Sequence, residues 1–275
     1  MTAAEPRGAR DDAAVRGSDP AAAALARLYD LDLLEDPGDL DLYLALAART
    51  GGPLLELAAG TGRLAVPLAA AGHQVTAVDI EPAMLDRARV RAAAAGPKVA
   101  ERIEMVTGNL VGLALPAAGN FKLAFIALNS LFLLPSRDAQ REAFGTMARH
   151  LAPGGIAVAD VWLPEPEDLV RFDGRLMLEY ERTDLEAGLL VTKTASAQHD
   201  ATSGVVELTT IYEEGGQGTT PVRWVRRDRL RLVAPHELLS YAEDAGLEIE
   251  RLAGGYDLQP LSGRSERAII IAGRS

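Results

Sequence analysis

The chain has 275 residues, with 28 Lys or Arg against 39 Asp or Glu, and its net charge of −11 argues against a general nucleic-acid or membrane-surface partner. It has no cysteine, which excludes disulfides, thiolate metal sites and a cysteine nucleophile. No apolar run approaches the roughly 18 residues that span a bilayer, so the expectation is a soluble enzyme for a small molecule, built as one large domain or as a core domain with an elaboration.

In chain order, residues 1–20 lack the apolar core of a signal peptide and read as a disordered, cytoplasmic tail. Ala21 to Ala48 is mostly helical in pattern, broken at Pro37 and Gly38, which places Tyr29 and Asp30 in the gap between two helices. Pro53 to Ala70, PLLELAAGTGRLAVPLAA, is the most informative stretch. An apolar run meets a small-residue turn at Ala58 to Gly62, and a helical pattern follows through Leu64, Val66 and Leu68. Gly60 and Gly62 let the backbone turn sharply and let a ligand approach the helix start without meeting a Cβ. Gly60, Gly62 and Ala65 also satisfy GxGxxG/A, with Asp79 about twenty residues on, so the turn alone does not choose between cofactors. Glu56 does help to choose. Its carboxylate, four residues before Gly60, would repel a dinucleotide pyrophosphate and attract a ligand carrying an ammonium group.

At these residues the chain resembles the class I S-adenosylmethionine-dependent methyltransferases, whose first motif is ExGxGxG; ELAAGTGR departs from it at Ala58. The resemblance implies cofactor contacts from Glu56, Ala58, Gly60, Thr61, Gly62 and Arg63. It also implies that Tyr29 belongs to a lid helix reaching the cofactor or the acceptor, the plain alternative being a half-buried packing residue.

QVTAVDI is a β-branched strand ending in Asp79. The spacing from Gly60 favours ribose binding there, with Ile80 alongside, over capping of the helix that starts at Pro82. Met84 packs near the adenine or fills the core. RIEMVTGNL gives a third strand followed by Gly108, Asn109 and Leu110. Where the family has an acid, Asn109 can accept through its carbonyl or donate to a ring nitrogen. FKLAFIALNSL is a continuously apolar fourth strand, as buried parallel strands are. Its carboxyl end carries Asn129, either a ligand contact or a turn former. A helix over Arg137 to Leu151, the turn Ala152 to Gly155 and the strand Ile156 to Trp162 resemble the family's HLxPGG segment. The alternating units predict a parallel sheet with helices on both faces, a Rossmann-like seven-stranded methyltransferase core.

Residues 172–232 change texture to four strands with period-two alternation and turn-rich breaks, an inserted antiparallel sheet. The core therefore spans 21–171 and 233–275, with a helix from about Pro235 and two closing strands; the family's last strand runs antiparallel between its neighbours. Small-molecule N-methyltransferases carry a comparable insertion, which implies that it covers the acceptor site.

Methyl transfer by in-line displacement needs alignment above all, and alignment alone can supply an effective molarity on the order of 10⁵ M. His73, His150, His199 and His236 all read as surface residues, so no catalytic side chain and no metal ligand is assigned. Trp162 and Asp160 are the candidate acceptor contacts, Trp162 through its ring face and Asp160 by orienting an amine, against packing and strand-end roles. Arg223, Arg227, Arg229 and Arg231 share one strand face, with Arg226 opposite; the former face meets an anionic acceptor if it looks inward, or is a charged edge if it looks to solvent. The expected activity is transfer to N or O of a small molecule. The rivals are a dinucleotide-dependent oxidoreductase and an inactive binding protein of the same fold.

Overall fold

The computed structural model describes residues 19–216, 218 and 220–275; the expected tail at 1–18 lies outside them. Eight helices and eleven strands alternate along these residues. They are α1 (Pro20–Asp32), α2 (Leu40–Thr50), β1 (Leu54–Leu57), α3 (Ala65–Ala70), β2 (Val75–Asp79), α4 (Pro82–Ala95) and α5 (Pro97–Ala100). Next come β3 (Ile103–Thr107), β4 (Phe121–Ile126), α6 (Arg137–His150), β5 (Leu151–Trp162) and α7 (Pro166–Arg171). The chain closes with β6 (Asp173–Asp184), β7 (Leu189–Asp200), β8 (Val205–Gly215), β9 (Val222–Arg231), α8 (Pro235–Asp244), β10 (Glu248–Ala253) and β11 (Arg267–Gly273).

Seven strands form one sheet in the order β10-β11-β5-β4-β1-β2-β3. β1 to β5 run parallel, and β11 lies antiparallel between β5 and β10. The apolar runs explain the burial, because every residue of β1 and β2 is buried and alternate side chains feed two different layers. On β4, Leu123 and Phe125 join the layer under α2 and α3, whereas Ala124 and Ile126 join the layer under α6 and α8. Glu56 shares parity with Leu54 and so points toward the first layer. The expected turn at Ala152 to Gly155 is carried inside β5 instead. The β4–β5 register slips from Phe121↔Leu151 to Leu123↔Ile156, so the extra residues bulge out without ending the strand.

β6 to β9 form the expected separate antiparallel sheet, each strand paired with the next. Three contacts fix where it sits. β9 packs on the 3-10 turn Ser130–Leu133 that follows β4. Its inner face holds Val191 and Tyr212 against Leu28 and Leu31 of α1. The β6–β7 turn offers Glu186 to Arg87 of α4, the helix after β2. Two of these anchors follow the carboxyl ends of β4 and β2, and the third, α1, is tied to the turn after β1 by the Thr61–Asp30 hydrogen bond, so the second sheet lies on that edge.

Two expectations change here. Tyr29 and Asp30 lie in the last turn of α1 rather than in a gap, because the helix continues to Asp32 before Pro37 and Gly38 interrupt the pattern. The arginine series also divides: Arg223, Arg227 and Arg229 face solvent, whereas Arg231 is buried against Glu237 and Gln140 where β9 leaves the sheet.

Candidate functional site at the carboxyl edge of the sheet

The glycine turn is held from below by β2. Ala59 N–H donates to Val78 O at 2.9 Å, and Gly60 N–H donates to Asp79 Oδ2 at 2.8 Å. The other Asp79 oxygen accepts from Glu81 N–H at 2.9 Å. Each oxygen keeps unspent acceptor capacity, and burial pushes the Asp79 carboxyl above its ordinary value. The helix cap that Asp79 could have supplied comes from Glu81, which accepts from Ala83 N–H. Gly62 is a packing glycine: a Cβ there would stand 3.0 Å from the Ala88 Cβ, so its absence brings the turn onto α4. Ala58 has φ of 58°, a left-handed conformation that a Cβ disfavours by about 1–2 kcal/mol, which accounts for glycine in the family motif.

Glu56 lies behind this turn, 3 % exposed, and its Oε2 has no hydrogen-bond partner. Burial, with Asp39 and Asp79 nearby, pushes its carboxyl up to about 8 against the pull of Arg63 and the Ala65 amide. Arg63 is itself clamped on Asp39 by two hydrogen bonds of 2.6 and 2.7 Å. A buried carboxylate with an unspent oxygen is a receptor for a cation. Thr61, also buried, donates its hydroxyl to Asp30 Oδ1 at 2.6 Å, and Tyr29 Cε1 lies 3.7 Å from where a Gly60 Cβ would stand.

Farther along the edge, Ile80 is 66 % exposed beside Asp79 and Met84 is half-buried. Gly108 and buried Leu110 flank exposed Asn109, whose Oδ1 accepts from Val111 N–H at 2.9 Å. That turn spends one carbonyl lone pair and leaves the amide NH₂ free to donate. Leu128 and Asn129, with φ of 50° and 66°, make a second strained stretch after β4.

Asn129 and Asp160 both accept hydrogen bonds from protein donors. Asn129 Oδ1 accepts from Trp162 N–H at 2.6 Å and from Arg267 at 3.2 Å. Asp160 is fully buried. Its Oδ2 accepts from the Tyr43 hydroxyl and from Leu128 N–H, and its Oδ1 from the Tyr256 hydroxyl and Arg267. Four donors fill the four lone-pair positions of a carboxylate. Tyr43, Tyr256 and Arg267 are residues that sequence reasoning missed, since nothing local marks a helix tyrosine, a loop tyrosine or the first arginine of a strand as partners of an aspartate about a hundred residues away. Trp162, half-buried, joins this network through its backbone N–H, and its ring centroid lies 6.2 Å from that of Phe172.

One histidine corrects the expectation of four surface residues. His150 is 1 % exposed; its Nδ1 donates to Thr146 O at 2.7 Å and its Nε2 accepts from Leu115 N–H at 3.1 Å. No helix among the described residues is long and apolar enough to cross a membrane.

Residues 54–155 match the methyltransferase domain family model. The chain is 25 % identical over 230 residues to a cypemycin N-terminal methyltransferase from a Streptomyces species, covering 82 % of this chain and 84 % of that one. Among solved structures, the CcbJ methyltransferase from Streptomyces caelestis is 26 % identical with a TM-score of 0.72, covering 88 % of this chain and 97 % of that one. An S-adenosylmethionine-dependent methyltransferase from Clostridium acetobutylicum superposes with a TM-score of 0.73 at 18 % identity, covering 92 % and 98 %. With the strand order, the carboxylate-backed glycine turn and these similarities together, residues 54–155 are a methyltransferase domain and the chain has the fold of the class I S-adenosylmethionine-dependent methyltransferases.

Proposed function

We propose that this enzyme methylates an amine nitrogen on a small molecule or short peptide, in a crevice between the glycine turn and the inserted sheet. The observation that carries the cofactor half of the reading is the buried, unpartnered Oε2 of Glu56, which fits the ammonium of the cofactor's methionine end. In the same reading Asp79 takes the ribose hydroxyls with its unspent lone pairs, while Ile80, Met84 and Leu110 enclose the adenine. Asn109 donates to a ring nitrogen, and the Gly60 and Gly108 stretches border the ligand. Tyr29 covers it from α1, and Thr61 and Arg63 hold the turn through Asp30 and Asp39. When bound, the cofactor supplies an electrophilic methyl group on a sulfonium that leaves neutral.

The acceptor half rests on what the chain's own groups are doing. Asp160 and His150 spend their hydrogen bonds on protein partners, and neither is assigned as a base. That arrangement suits a nucleophile that brings its own lone pair, as a neutral amine does, better than an alcohol that must be deprotonated as it attacks. Similarity to a relative whose name puts its reaction at an N-terminus supports the same choice. In this proposal residues 172–232 form the acceptor cover, Trp162 lines the chamber beneath it, and the core of 21–171 with 233–275 binds the cofactor. The cover orients the acceptor and excludes water. The acidic chain favours small acceptors over nucleic acid, and the cytoplasm is the compartment assigned. The test is to incubate the protein with methyl-deuterated S-adenosylmethionine and matched pairs of amines and alcohols, with mass spectrometry of the products. Label on the amines supports the reading; label on the alcohols alone overturns it.

A further inference from the structure

The last turn of α1 joins the two halves of the molecule through consecutive residues. Tyr29 lies against Gly60. Asp30 accepts from Thr61 Oγ1 at 2.6 Å, Arg87 Nε at 2.8 Å and Arg91 Nη2 at 3.0 Å, all from the core, with Arg87 also reaching Glu186 of the β6–β7 turn. Asp32 faces the other way. It accepts from the Tyr180 hydroxyl at 2.7 Å, the Tyr212 hydroxyl at 2.8 Å and Lys193 Nζ at 2.9 Å, one from each of β6, β8 and β7. Leu31 O between them accepts from Arg182.

Two carboxylates in the last turn of a helix run against its dipole, and no basic residue of α1 offsets them there. Their stabilisation comes from outside the helix, from partners on both sides. The apolar contact between α1 and the sheet brings Leu25, Leu28 and Leu31 against Val191, Tyr212, Tyr180 and Trp224. One turn earlier Arg27 pairs with buried Asp184 and Glu214 of the same sheet, and the Asp32 stitches extend that polar seam to the end of the helix next to the cofactor turn. Burial and Asp32 push the Tyr180 and Tyr212 phenols far above their ordinary value, so both remain donors at any working pH.

We infer that Asp32 is a positioning residue that couples the cofactor turn to the inserted sheet, so that filling the cofactor site orders β6 to β8. The inference rests on the proposed cofactor site at Glu56 to Gly62. An occupied turn fixes Tyr29 and Thr61, these fix the last turn of α1, and Asp32 passes the restraint to three strands of the cover. Cofactor would then prepare the acceptor chamber before the acceptor arrives, and the two affinities would be linked in both directions.

Hydrogen–deuterium exchange of the full chain, with and without S-adenosylhomocysteine as the probe, tests this. In the parent protein the probe is expected to slow exchange about fivefold or more both in residues 54–66 and in residues 189–215. In Asp32→Asn the first protection persists and the second disappears. Tyr180→Phe with Tyr212→Phe and Lys193→Met removes the same three stitches while leaving Asp32 in place, and should behave alike if the aspartate variant folds poorly. Protection of 54–66 without 189–215 in the parent overturns the coupling alone, as does protection of 189–215 that survives in the variants. Absence of protection at 54–66 sinks the cofactor site and the coupling with it.

Discussion

Replacing Glu56 by Gln should make the ligand-free protein relatively more stable as the pH rises, while damaging cofactor binding. The folded protein raises this carboxyl from 4.5 to about 8, so the folded state holds the proton more tightly than the unfolded chain. Stability from this group is therefore full below pH 4.5 and is lost as the pH climbs toward 8. At 1.36 kcal/mol per tenfold change in proton activity, the parent should lose about 2–3 kcal/mol between pH 5 and pH 7 from Glu56 alone. Gln does not titrate, and every other ionisable group is common to both proteins. Urea midpoints measured at pH 5, 6 and 7 for each should thus diverge by about that amount. Cofactor binding supplies a second readout. An ammonium beside Glu56 favours its ionised form, so at pH 7 S-adenosylmethionine should displace most of one proton, visible as a dependence of the calorimetric heat on the buffer's ionisation enthalpy. Glu56→Gln should show neither that dependence nor the parent's affinity. Parallel urea curves, together with a buffer-independent heat for the parent, would refute the reasoning.

Removing the Asp79 carboxylate with Asp79→Asn should cost about 1–3 kcal/mol of cofactor affinity in calorimetry, the range for unpairing charge-assisted hydrogen bonds; an unchanged affinity would reduce Asp79 to its Gly60 and Glu81 contacts. His150→Ala should lower stability by about 2–4 kcal/mol, combining a buried cavity with a stranded Leu115 amide, as read from urea melts. Ala variants of His73, His199 and His236 should keep turnover within about tenfold of the parent, short of the 10²–10⁴ contribution of a general base. Trp162→Ala should raise the acceptor KM or lower kcat with little change in cofactor Kd; equal damage to both would remove Trp162 from the acceptor side.

The central strands and the glycine turn were legible because their signals are local. LLEL, TAVD and FKLAFI are apolar runs bounded by turn residues, and period-two alternation marked the inserted strands. What escaped was long-range pairing. Asp160 meets Tyr43 and Tyr256 across 117 and 96 positions, and no pattern along the chain distinguishes a saturated aspartate from a free one. His150 ends a helix whose buried face carries it inward to the Leu115 amide, a partner that only the fold supplies. Arg231 follows the parity of its exposed neighbours until β9 ends and α8 presents Glu237. Tyr29 reads as lying outside its helix because the break at Pro37 and Gly38 is stronger than the unmarked end at Asp32. At Ala58 the departure from the motif was visible, but the left-handed backbone that makes it costly was not.

The most direct measurement of the central claim, that a carboxylate-backed glycine turn selects an adenosyl amino acid over a dinucleotide, is calorimetric titration of the protein with S-adenosylhomocysteine and, separately, with NAD. The account predicts saturable one-site binding of S-adenosylhomocysteine and no heat from NAD. Saturable NAD binding with no response to S-adenosylhomocysteine would contradict it.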